Sequence, residues 1–192
     1  MKLKYILDII TRNELNAGGL VNGDIFRTDS RIKKYEKLLI NAVVNFLKDE
    51  WEFDAKITVK KKQNENLIGD ISLNNNSVNN NKFTVHFNPN QSYIEIIKSL
   101  IHELTHVMQV SKGHLKPSDN WKSIIWKGDY VLDVKDYKKM MRNFNEYKQL
   151  PWEKEAYDNM SDAKLRGRLF DSKYWNELRG KDDTLDYIIN NI

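Results

Sequence analysis

The stretch SYIEIIKSLIHELTHVMQV, residues 92–110, decides how the rest of the chain must be arranged. Ile94, Ile97, Leu100, Ile101, Leu104, Val107 and Met108 recur three and four residues apart, which predicts an α-helix. They line more than one of its faces, so the helix must be covered on most sides. Pro89 stops the segment before it, and Ser92 with Glu95 three residues on has the form of a capping box. Gly113 and Pro117 close the far end.

Working outward, the upstream text supplies partners for such a helix. EFDAKITVKK carries Phe53, Ala55, Ile57 and Val59 in alternation, NLIGDISL spans Leu67 to Leu73, and KFTVHFN carries Phe83, Val85 and Phe87. This predicts three strands of a small sheet, with the asparagine tract 74–81 as an exposed hairpin loop. Before them, Ile32, Tyr35, Leu38, Leu39, Ala42, Val43, Phe46 and Leu47 predict an amphipathic helix from Asp29 to about Asp49, capped by Asp29 or Ser30. Residues 1–29, with Gly18, Gly19 and Gly23, read as a peripheral segment. Downstream, 121–133 reads as a loose hairpin or extended insert around Gly128. Lys135 to Tyr147 reads as a helix, Pro151 opens another through about Leu169, and Ser172 to Ile192 reads as one short charged helix. The expected fold is α+β, one unit over 1–192. It divides into an N-terminal segment and helix (1–52), sheet and central helix (53–110), insert and second helix (111–170) and helical tail (171–192).

The buried helix contains His102-Glu103-Leu104-Thr105-His106, with two of the chain's 4 histidines. Histidines four apart project from one helical face, one turn apart, so both imidazoles can reach a single ion, while the glutamate between them stands ready as a base. Two histidines that merely satisfied each other would leave a glutamate buried beside them without purpose, at a cost of several kcal/mol, on the order expected for an uncompensated buried charge. The chain has 192 residues and 0 cysteines, so any zinc must be held by nitrogen and oxygen. That donor set suits an open hydrolytic site better than a closed structural one. A strand that reads as edge-like, a proline loop and then this helix is the order a zinc peptidase needs, because the strand can offer its backbone to an extended peptide.

A hydrolytic zinc site takes three protein ligands and leaves a fourth position open. Proline at a helix start followed by glutamates, in LPWEKEAYDN (150–159), would bring a carboxylate across the first helix. Glu153 and Glu155 are two residues apart and cannot both face one ion. With HExxH and Glu155-Ala156 together, the sequence resembles the gluzincin metallopeptidases over roughly residues 53–165. That resemblance implies a zincin-like fold, Zn2+ held by His102, His106 and Glu155, and Glu103 as the catalytic base. It also puts Asn159 where many gluzincins carry an aspartate that supports a ligand histidine. His114, close before Asn120-Trp121, resembles instead the third histidine of SprT-like proteases, though its spacing from His106 is short for them. Tyr130, Tyr137 and Tyr157 are candidates for stabilising a developing oxyanion, and His86 is expected to face solvent or the cleft.

The function implied is zinc-dependent hydrolysis of protein or peptide substrates. LPWEKEAY also resembles small metallopeptidase-like proteins of bacteriophages and their hosts, which leaves a structural zincin in a virion as an alternative. The formal charge of +4 and pI near 9.0 come from alternating charges such as KKYEK and KLRGR, a solvated surface in the main. Lys60, Lys61 and Lys62, with Lys138, Lys139 and Arg142, are the residues a nucleic-acid partner would use, and none is expected to. In MKLKYILDIITRNE the apolar run is interrupted by Asp8, with no cleavage site after it, so no export signal is expected. No membrane span is expected, and the expected location is the cytoplasm, or a virion if the chain is phage-encoded.

Overall fold

A computed structural model describes residues 30–61, 69–73, 81–120 and 122–192. The N-terminal segment and most of the asparagine tract lie outside the described residues. Helix α1 (Ser30–Glu50) buries Tyr35, Leu39, Val43, Phe46 and Leu47, the stripe its periodicity predicts. It ends without glycine: Glu52 sits at φ 47°, Phe53 N–H donates to Lys48 O at 3.2 Å, and Glu52 N–H donates to Asp49 O at 3.2 Å. This bonding satisfies two orphan carbonyls but holds an L-residue left-handed. Glu52→Gly is therefore expected to stabilise the protein by on the order of 0.5–1 kcal/mol, read as a higher urea midpoint at unchanged m-value.

Strands β1 (Lys56–Lys61), β2 (Gly69–Leu73) and β3 (Lys82–Phe87) form a sheet in the order β1-β3-β2, with β1 parallel and β2 antiparallel to β3. The strand before the proline loop is thus the centre of its sheet, not an edge. Thr84 is buried along with Phe83, Val85 and Phe87, so both faces of β3 are covered. The edge that lies against the next helix is β2. His86 is half-buried on β3, as its out-of-phase position suggests.

Helix α2 (Tyr93–Ser111) is buried from Ile96 through Gln109 apart from Lys98. Ser92 Oγ caps it, accepting from Glu95 N–H at 3.4 Å, while the Glu95 carboxylate accepts from Lys98 at 2.7 Å. Gly113, at φ 69°, turns the chain out of the helix. Ser111 Oγ donates to Asn81 Oδ1 at 2.9 Å, tying the helix end to the start of β3. The remaining sides of α2 are covered by α1, by the sheet and by a helix from the C-terminal half.

The insert is a second, antiparallel sheet of β4 (Leu115–Pro117), β5 (Ser123–Trp126) and β6 (Tyr130–Asp133). The hairpin about Gly128 is as expected; its extension by β4, with Pro117 inside the strand, was not. Lys127 (φ 48°) and Gly128 (φ 86°) make the reversal.

The C-terminal half is more broken than the periodicity predicts. Lys135 to Tyr147 is two helices, α3 (Val134–Met140) and α4 (Phe144–Tyr147). Pro151 to Leu169 is split into α5 (Pro151–Ser161) and α6 (Ala163–Asp171). The tail is α7 (Lys173–Asn176) and α8 (Asp183–Asn190). Each interruption has the same cause, a short polar side chain that accepts a downstream N–H and starts a new helix. Asn143 takes Asn145 N–H at 3.1 Å, Asp162 takes Lys164 N–H at 2.8 Å, and Asp182 takes Thr184 N–H at 2.9 Å. No helix among the described residues is long and apolar enough to cross a membrane.

Candidate metal centre

Helices α2 and α5 pack along each other, and the site lies between them. On α5, Trp152, Glu153 and Ala156 are the buried residues, a stripe at i, i+1 and i+4. Trp152 anchors it, fully buried with its ring 6.0 Å from Tyr137 and 6.3 Å from Trp126. Once Trp152 and Ala156 face inward, Glu153 must as well, and Glu155 is turned about 200° away from Glu153, at 100° per residue.

His102, His106 and Glu153 come together, each no more than 2% exposed. His102 Nε2 lies 3.2 Å from His106 Nε2, and Glu153 Oε2 lies 3.6 Å and 3.5 Å from these two nitrogens. Three donors bound to one zinc at about 2.0–2.1 Å with tetrahedral angles stand roughly 3.3–3.4 Å apart, so this triangle has the size a shared ion requires. Neither Glu153 oxygen has a hydrogen-bond partner among the described residues, an orphaned carboxylate that a cation would satisfy.

The outer contacts fix how one histidine presents itself. Gln109 Nε2 donates to Trp152 O at 3.0 Å and to Glu155 Oε2 at 2.8 Å. Both partners only accept, so the amide orientation is set and Gln109 Oε1 is left as an acceptor. His106 Nδ1, 2.8 Å away, must then carry the proton, and the lone pair of a neutral His106 lies on Nε2, toward the triangle. Glu155 also accepts from Lys127 Nζ at 2.9 Å. The structure therefore does not bring Glu155 to the histidine pair. It stands one step behind, on Gln109, because its phase on α5 carries it to the flank of the helix crossing. Asn159 likewise misses the histidines, donating to Thr105 Oγ1 at 3.2 Å. Gln109 occupies the supporting role instead. Its signal in the sequence is a glutamine one turn past His106 in an otherwise apolar run.

Burial alone would push the Glu153 carboxyl up, but the two imidazoles beside it, His106 at 3.5 Å and His102 at 3.6 Å, outweigh it when charged and hold the group at about 2, from an ordinary 4.5. Because the folded value is the lower one, the stabilisation is complete above pH 4.5 and is lost as the pH falls toward 2. Metal-free protein is expected to lose melting temperature over that window, and Glu153→Gln to lose less there, measured by thermal scans at stepped pH.

Glu103 is buried on α2 beside the pair. His114 is not in the cluster: its ring lies 6.4 Å from Trp126 at the base of the insert. Of the three tyrosines, Tyr137 is core, packed on Tyr147 and Trp152. The Tyr130 side chain lies outside the described residues. Tyr157, one turn after Glu153, is half-buried and sets its ring edge-on to His102 at 4.6 Å. Compared with protein-family models, with curated proteins and with solved structures, the chain matches none.

Proposed function

We propose that the chain is a zinc-dependent peptidase of the zincin type. The observation that carries this reading is the triangle of His102 Nε2, His106 Nε2 and Glu153 Oε2, 3.2–3.6 Å on a side, with Glu103 on the same helix. Those three residues would hold the metal, with Glu153 in the place first expected of Glu155. Zinc bound there supplies Lewis acidity toward a substrate carbonyl and toward water. Glu103 accepts a proton from the attacking water and passes it to the leaving amine. Tyr157, whose ring meets that of His102 edge-on, would donate to oxygen as negative charge develops. β2 presents an edge unpaired among the described residues, lies against α2, and is the strand on which an extended peptide would align.

The test is cleavage of a peptide library by zinc-loaded protein with and without a chelator. Chelator-sensitive cleavage is the expected result, and no cleavage under any metal condition would overturn it. The full burial of all three donors favours one second reading, a metal held for stability in a binding or structural protein. That reading predicts a large drop in melting temperature on chelation with no cleavage at all. The SprT-like reading rested on His114, whose place by Trp126 gives it no support.

A further inference from the structure

Beside the triangle is a cation that the reaction scheme does not use. Lys148 follows α4 directly, and its Nζ stands over two aromatic faces, 4.3 Å from the Phe144 ring centroid and 4.7 Å from that of Tyr157. These two rings meet edge to face at 6.5 Å, and the Tyr157 ring in turn contacts His102 at 4.6 Å. Lys148 is half-buried. Among the described residues its ammonium has no carboxylate within ion-pair reach, whereas Lys127, the other lysine at this site, is matched to Glu155.

We infer that Lys148 is an anion-binding subsite, selecting peptides with an Asp or Glu side chain, or a terminal carboxylate, close to the bond placed at His102 and His106. The inference rests on the peptidase reading. Two aromatic faces hold the ammonium in place and strip part of its water, without neutralising it. A partly desolvated charge attracts a counter-ion more strongly than a solvated one, and a side chain already ordered loses little entropy when that counter-ion arrives. A neutral or basic residue in the same place would gain nothing or be repelled. The subsite therefore discriminates by charge rather than by size.

The test is peptide binding followed by the Tyr157 and Phe144 ring resonances in Glu103→Gln protein with zinc added, so that no turnover intervenes. The probes are blocked tetrapeptides that differ only as Asp, Asn or Lys at one position, each position tried in turn, and the Ala tetrapeptide with a free or an amidated C-terminus. At one position, or at the free terminus, the anionic peptide is expected to bind about 5- to 10-fold more tightly than its neutral counterpart, the size of one partly screened ion pair. Added Lys148→Met should reduce that ratio to near one while the aromatic packing persists, and Lys148→Glu should invert it in favour of Lys. Equal binding of the charged and neutral peptides, or a preference that survives Lys148→Glu, would overturn the subsite. Cleavage by otherwise unaltered protein is scored separately. Anionic peptides that bind with this dependence on Lys148 but are not cut would leave the subsite standing and sink the peptidase reading.

Discussion

Glu153→Gln is expected to weaken zinc binding by at least about 100-fold, measured by competition with a chelating dye. Loss of an outer-shell partner commonly costs about 10–100-fold in metal affinity, and loss of a ligand costs more. The amide keeps the shape of the side chain but cannot supply a charged oxygen to an ion already shared with two neutral imidazoles. At a zinc concentration 1,000 times Kd, bound metal adds about 4 kcal/mol to stability, so the variant should also lose most of the rise in melting temperature that zinc gives the parent protein. Glu155→Gln is the paired control. It retains an acceptor for Gln109 and loses only the ion pair with Lys127, in which Glu155 is 27% and Lys127 46% exposed. Its effect on zinc affinity should stay within about 10-fold. If Glu155→Gln released zinc and Glu153→Gln did not, the ligand set proposed from the triangle would be wrong.

Glu103→Gln carries the second large effect. Hydrolysis should fall by about 10²- to 10⁴-fold, the contribution of a positioned general base, while zinc binding stays as it was. Glu103 is not one of the three residues of the triangle, so the two readouts separate. A rate equal to that of the parent protein would remove Glu103 from the chemistry, and a parallel loss of zinc would make it structural.

How far the residues alone reach can be judged at particular positions. The α1 stripe, the three strands, the capped and enclosed α2 and the Gly128 hairpin are all readable, because each follows from a local period or a local turn residue. The breaks at Asn143 and Asp162 were readable in principle but masked by apolar spacing that runs through them. Whether β3 is edge or centre was not readable, since alternation is the same in both places and only pairing with β1 and β2 decides it. The candidate site divides in the same way. His102, Glu103 and His106 fall on one turn of one helix, where geometry follows directly from spacing.

The partner from α5 is different in kind. LPWEKEAY offers two carboxylates, and the Glu-Ala pattern pointed to Glu155. The choice is made by Trp152, whose burial against Tyr137 and Trp126 sets the rotation of α5 about its own axis. That rotation turns Glu153 onto the histidines and Glu155 onto Gln109 and Lys127. The sequence by itself determined the His102–His106 pair, the helix that carries it and the α+β class, all of which are encoded within a few turns of chain. Only the tertiary structure decided the third donor, the Gln109 support and the placing of Tyr157 and Lys148. Those depend on how two helices distant in sequence pack their largest side chains, and spacing along one helix carries no information about its rotation against another.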